Sequence, residues 1–147
     1  MLKLSRQPGG QPEIFHSLQG EGATIGVATV FLRLSLCNLS CSWCDTKYTW
    51  DWENYDYKKE VIALDTEQVR EKILSYECPH LVVTGGEPLL QLDEDLIDAF
   101  HGGGFEVAVE TNGTLSAPPG LDWICVSPKA GTELTLLRGD ELKLVYP

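Results

Sequence analysis

At 147 residues and 43% hydrophobic content, the chain has the length of about one domain and enough apolar side chains to build a core. Its 22 acids against 11 bases give a formal net charge of −11, which speaks against wrapping nucleic acid or docking on an anionic membrane. No apolar run reaches membrane-spanning length, and the start Met-Leu-Lys-Leu-Ser-Arg-Gln-Pro has no signal-peptide core. Five cysteines without a paired framework suit a reducing, cytoplasmic setting.

Residues 1–12, rich in Gly, Pro and Gln, are expected to be loosely ordered. Val30 to Leu36 alternates: Val30, Leu32, Leu34 and Leu36 face one way, and Phe31, Arg33 and Ser35 the other. That is a strand pattern. Arg33 on the inside of such a strand is a buried cation that needs an anion. Residues 45–63, with Tyr48, Trp50, Trp52, Tyr55 and Tyr57, read as an irregular covering loop. Asp65 caps a helix, Gln68 stands in the capping-box position, Leu64 with Val69 forms a staple, and Val69, Ile73 and Leu74 supply the apolar face. His80 to Thr84 is a short buried strand leading into Gly85-Gly86-Glu87-Pro88. A second helix follows, capped by Asp93, stapled by Leu92 and Ile97, and stopped by Gly102-Gly103-Gly104. Strands are predicted over 105–109, 122–126 and 142–146, with a helical turn over 132–137.

Short apolar strands alternating with helices predict an α/β architecture with a parallel sheet and few helices. Polar segments recur just after strands: Cys37–Thr46, Thr84–Glu87, Thr111–Gly113 and Ser127–Lys129. In parallel sheets and barrels the C-terminal strand ends form the active face.

Chemistry concentrates in Cys37-Asn-Leu-Ser-Cys41-Ser-Trp-Cys44. Three thiolates in C-x3-C-x2-C spacing can hold three irons of a [4Fe–4S] cluster and leave the fourth open to a ligand, whereas electron carriers usually close all four positions. A zinc site is the alternative, with Cys78 or His80 as a distant fourth ligand. His16, His80 and His101 are expected to be structural or solvated. Cys78 is expected to be a loop-edge thiol and Cys125 a buried strand thiol.

Together, the triplet and Thr84-Gly85-Gly86-Glu87-Pro88 resemble the radical S-adenosylmethionine superfamily. A denser likeness runs through Leu18-Gln19-Gly20-Glu21-Gly22, Phe31-Leu-Arg33-Leu and Cys37 to Trp50, and it is similar to the 7-carboxy-7-deazaguanine synthase family. That resemblance implies a partial TIM-like β/α barrel. It implies Cys37, Cys41 and Cys44 as cluster ligands and Thr46 as a ligand to Mg2+. Leu18, Gln19, Gly20, Arg33 and Thr84 are implied as contacts to a pterin substrate. Gly86 and Ser127-Pro128-Lys129 are implied as contacts to S-adenosylmethionine, with Trp43 near its adenine. The Glu87 carboxylate or a backbone carbonyl beside it would accept from the cofactor's ammonium group.

The implied reaction is a radical ring contraction of 6-carboxy-5,6,7,8-tetrahydropterin with loss of ammonia, a carbon–nitrogen lyase step toward queuosine and other deazapurines. The partners implied are an electron donor of flavodoxin or ferredoxin type and a second copy of the chain in a homodimer. Family members continue beyond the point where this chain ends, so residues 1–147 are read as one radical S-adenosylmethionine domain, C-terminally short. Two other readings stay open: an activating enzyme for a glycyl-radical protein, and a non-catalytic zinc or iron–sulfur module.

Overall fold

The computed structural model describes residues 1–145. One eight-stranded sheet organises the chain: β1 (Leu2–Ser5), β2 (Ile14–Leu18), β3 (Ala28–Leu34), β4 (Val61–Leu64), β5 (His80–Gly85), β6 (Glu106–Thr111), β7 (Trp123–Val126) and β8 (Glu141–Leu142). Its order is β4-β1-β3-β5-β6-β7-β8, with β2 also paired to β3. From β3 to β8 every pairing is parallel. By contrast β1, β2 and β4 join antiparallel, so the sheet is mixed rather than purely parallel. The parallel run is the partial barrel expected from the sequence.

Three helices are short: α1 (Tyr57–Glu60), α2 (Thr66–Leu74) and α3 (Glu94–His101). The α2 start follows its local grammar, with Asp65 accepting from Gln68 N and Gln68 reaching back to Asp65 N. Asp93 caps α3 by accepting from Leu96 N. Val69, Ile73, Ile97 and Phe100 are buried from these two helices. They belong to one core with Leu4, Leu32, Leu34, Leu81, Val83, Val107 and Val109 from the strands. That core fixes one face of the sheet against helices and leaves the other face to line a cleft.

Several expectations are corrected. The N-terminal dozen is ordered: Leu2 and Leu4 sit in the core and β1 pairs along β4. Only the Gly/Pro/Gln stretch forms a loop, closed by Gln7 N to Gln11 O and Gly10 N to Gln7 O. β2 also went unpredicted. The 45–63 stretch holds a 3-10 turn at Lys47–Thr49, then α1 and most of β4. Leu74 is 40% exposed and so contributes little to the apolar face of α2. Residues 132–137 form no helix; Thr135 N and Leu136 N instead both donate to Gly113 O. The last described strand is Glu141–Leu142, and Tyr146, the predicted end of a longer one, lies outside the described residues.

Candidate active site

Four loops leave the C-terminal ends of β3, β5, β6 and β7 and meet around a cleft of about 710 Å³. Cys37, Cys41 and Cys44 all line it, as do Gly85, Gly86, Asn112, Ser127 and Lys129. Strand register explains the rest. Arg33 pairs with Thr84, Glu110 with Cys125, and Cys125 with Glu141. Residues in register across parallel strands share a face, so Arg33, Thr84 and Glu110 form the cleft's floor, and Cys125 and Glu141 continue the row into a neighbouring pocket.

The cysteine loop is tied down at both ends. Leu36, at φ 77, turns the chain out of β3, and its N–H donates to Thr49 O at 2.7 Å. Asn38 donates to Thr114 Oγ1 and accepts from Asn112 Nδ2, joining the loop to the end of β6. Cys37 Sγ accepts from Leu39 N at 3.5 Å, and Cys44 Sγ accepts from Trp50 Nε1 at 3.4 Å. Burial raises the Cys37 thiol pKa, and neighbouring Cys41 and Cys44 push the same way.

The glycines of Gly85-Gly86-Glu87-Pro88 serve a close approach of backbone to backbone. A Cβ at Gly85 would strike the Leu34 carbonyl and one at Gly86 the Leu36 carbonyl. Only Gly tolerates such an approach and the φ of 153° at Gly85. The reward is two hydrogen bonds, Gly86 N to Leu34 O and Glu87 N to Leu36 O, which hold this loop against the cysteine loop. Glu87 itself is fully buried. Its carboxylate accepts from Leu89 N, from Thr111 Oγ1 at 2.7 Å and from Asn112 N at 2.7 Å. Burial raises its pKa against the opposing effect of those donors. The expectation that Glu87 accepts from a ligand ammonium is therefore replaced: its oxygens are spent on the protein and it does not line the cleft.

The remaining candidates divide. Gln19, Gly20, Arg33, Trp43, Thr46 and Thr84 line the cleft. Leu18 does not; its side chain is 64% exposed at the end of β2. Pro128 does not line it either, although Ser127 and Lys129 do, with Lys129 Nζ donating to Ser127 Oγ at 2.7 Å and lying 5.4 Å from the Trp43 ring centre. Burial, then nearby Lys143, lowers the Lys129 pKa. Thr46 precedes the 3-10 turn without capping it through its hydroxyl, which lies 3.5 Å from Cys44 Sγ.

Arg33 has its anion within the chain. Its Nε donates to Glu13 Oε1 at 2.7 Å, and Tyr48 Oη donates to the same carboxylate. Burial works against the Arg33 charge, but Glu13, with Tyr48 and Asp45, outweighs it and holds the pKa above the ordinary value. Beyond it stands a hub that sequence reasoning missed. Glu110 accepts from Thr84 Oγ1, from Gln19 Nε2 and from Lys143 Nζ, and Lys143 also reaches Glu21. A signal was available: Glu110 shares the strand phase of Ala108, so a carboxylate was due on the inner face. Glu13 carried no such local signal.

The Radical SAM superfamily profile matches residues 33–139. A 7-carboxy-7-deazaguanine synthase of Bradyrhizobium diazoefficiens is 51% identical over 92% of this chain and 70% of its own length. The chain belongs to the 7-carboxy-7-deazaguanine synthase family. The synthase of Nitratidesulfovibrio vulgaris is 47% identical over 92% of the chain and 69% of its own length. The crystal structure of QueE from Escherichia coli superposes with a TM-score of 0.69 at 33% identity, covering 88% of this chain and 61% of that one. The synthase family thus supplies both the sequence and the fold, and this chain spans about seven-tenths of the matched curated relatives.

A radical S-adenosylmethionine synthase of this family uses a [4Fe–4S] cluster and S-adenosylmethionine, and the donor set here fits them. Three soft sulfur donors face one cleft and two of them already receive N–H donors. No three His, Cys, Asp or Glu side chains among the described residues converge as for a single metal ion. A cubane instead spreads its thiolates over separate irons. The proposed fourth zinc ligands are engaged elsewhere: Cys78 is buried and donates to Ala28 O, and His80 pairs with Glu106.

Proposed function

We propose that this chain converts 6-carboxy-5,6,7,8-tetrahydropterin to 7-carboxy-7-deazaguanine as one domain. The observation that carries the reading is the meeting of the Cys37–Cys44 loop, the Gly85–Gly86 turn and the inner-face row Arg33–Thr84–Glu110 around one cleft. Cys37, Cys41 and Cys44 would hold the cluster. Gly86, Ser127 and Lys129 would contact S-adenosylmethionine beside Trp43. With these groups bound and reduced, the site gains one-electron chemistry that no side chain can supply.

The protein's own part is to bind, orient and shield. Arg33, with Nε fixed by Glu13, turns the rest of its guanidinium to a substrate carboxylate; such pairs are strong and geometrically specific. Gln19, Gly20 and Thr84 hold the pterin against the floor, and Leu18, exposed and off the cleft lining, serves by anchoring Gln19 to the end of the β2–β3 ladder. Thr46 offers one hard oxygen to Mg2+, with substrate and water completing the shell. A magnesium ion there would act as a template for the rearranging substrate. Tyr48, through Glu13, braces the cation from the far side.

A flavodoxin- or ferredoxin-type donor supplies the electron, and the active form is a homodimer. Among the described residues no helix is long and apolar enough to cross a membrane; we place the enzyme in the cytoplasm. Anaerobic reconstitution followed by incubation with the carboxypterin, S-adenosylmethionine, Mg2+ and a reductant tests the reading. Formation of 7-carboxy-7-deazaguanine with release of ammonia is expected. A fully loaded cluster with no product from the pterin would overturn it.

A further inference from the structure

The aromatic residues after the cysteine motif read from sequence as cover, yet one of them makes a directed bond. Trp50 Nε1 donates to Cys44 Sγ at 3.4 Å. Indole is a donor only, carries no charge and has no proton to titrate in the working range. Its position is well fixed. Thr49 is fully buried, its Oγ1 donates to Thr46 O at 2.8 Å, and its carbonyl accepts from Leu36 N. Trp50 N donates to Lys47 O at 3.0 Å. The turn that carries the indole is therefore fastened to the strand end that delivers Cys37. The three sulfurs are unequal: Cys37 receives a backbone N–H, Cys44 receives the indole N–H and lies 3.5 Å from the Thr46 hydroxyl, and Cys41 receives no side-chain or backbone donor among the described residues.

We propose that Trp50 is a positioning residue that sets the reduction potential of the cluster held by Cys37, Cys41 and Cys44, through its N–H bond to the Cys44 thiolate. The inference rests on the cluster reading above. Reduction adds one electron, from a low-potential donor, and increases negative charge on the cluster and its sulfurs. A donor aimed at a sulfur stabilises that added charge, so the reduced form gains more than the oxidised form and the potential rises. Trp50 transfers no proton in the step. Because the donor is neutral, the potential is raised without adding a cation beside the sulfonium that the open iron would receive.

Trp50→Phe keeps most of the ring and removes the donor. Anaerobically reconstituted parent and variant are compared for iron and sulfide content, then titrated against poised mediators with electron paramagnetic resonance as the readout. Equal loading with a more negative midpoint is expected, so that at a fixed poise the reduced-to-oxidised ratio falls about threefold to tenfold. Equal loading with an unmoved midpoint overturns the inference while leaving the cluster reading intact. A parent that takes up no iron overturns both. Should the variant fail to fold, pulsed resonance on Trp43→Phe protein carrying 15N only in its indole nitrogens decides, since Trp50 is then the one indole lining the cleft among the described residues: a nitrogen coupling to the reduced cluster is expected, and its absence in fully loaded protein counts against Trp50.

Discussion

Arg33 and Glu13, twenty positions apart, form a 2.7 Å ion pair whose members are 20% and 13% exposed at the edge of the cleft. The pair takes up Nε and leaves the terminal guanidinium nitrogens without a partner among the described residues. Register produces it: Arg33 N donates to Glu13 O just beyond the antiparallel ladder of β2 and β3. Glu13→Gln keeps an oxygen acceptor but leaves the cation uncompensated. We expect a loss of about 1–3 kcal/mol of stability by urea denaturation, and weaker pterin binding because the guanidinium loses its anchor. An unchanged denaturation midpoint would show that the pair contributes nothing to the fold.

Glu87 gives a second test. Its two oxygens satisfy three donors from two loops, so Glu87→Gln turns an amide N–H toward at least one of them. A cost of about 1–3 kcal/mol is expected from the donor left unpaired. Because burial raises the folded carboxyl pKa above its ordinary value of 4.5, the native state holds that proton more tightly than the unfolded chain does. This group therefore favours folding most at low pH, and its contribution falls as pH rises from about the ordinary value through the raised one. Stability measured against pH in parent and variant should differ in that window. Parallel curves would contradict the assignment.

Gly86→Ala sets a Cβ against the Leu36 carbonyl. Backbone cannot give way as a side-chain tip can, so the two loops must separate. A destabilisation of about 1–3 kcal/mol is expected, together with lower iron retention after gel filtration. Parent-like iron retention would show that the cysteine loop does not lean on this turn.

Cys125 is buried on β7, and burial pushes its thiol pKa up to about 11. At pH 8 in the folded protein it should resist iodoacetamide, while metal-free Cys41 and Cys44, only partly buried in the open cleft, are alkylated. An acid whose folded pKa is raised stabilises the native state below the ordinary value of 9.0, and that contribution is lost as pH rises through about 11. Mass mapping of the alkylated protein checks the first point; rapid labelling of Cys125 at pH 8 would contradict it.

What the sequence made legible was contiguous. The cysteine triplet, the Gly85-Gly86 turn and each helix cap are individually written within a few residues of sequence, and the helices form where their caps lie. Long-range partners were not legible. Glu13 reaches Arg33, and Glu87 reaches Thr111 and Asn112, only through strand pairing. Glu87 also shows how a motif can be found and its role misread: the carboxylate that looked ready for a ligand is consumed in joining two loops. β1 was missed because the Gly/Pro/Gln bias at 7–12 outweighed the alternation of Leu2 and Leu4, a pattern only four residues long. Four-residue strands acquire stability from their neighbours rather than from their own sequence.

The most direct measurement is electron paramagnetic resonance of the reduced, reconstituted protein with and without S-adenosylmethionine. If the triplet leaves one iron open to the cofactor, adding S-adenosylmethionine changes the signal of a cluster containing about four irons per chain. Identical spectra from a fully loaded cluster, with S-adenosylmethionine in excess, would contradict the account.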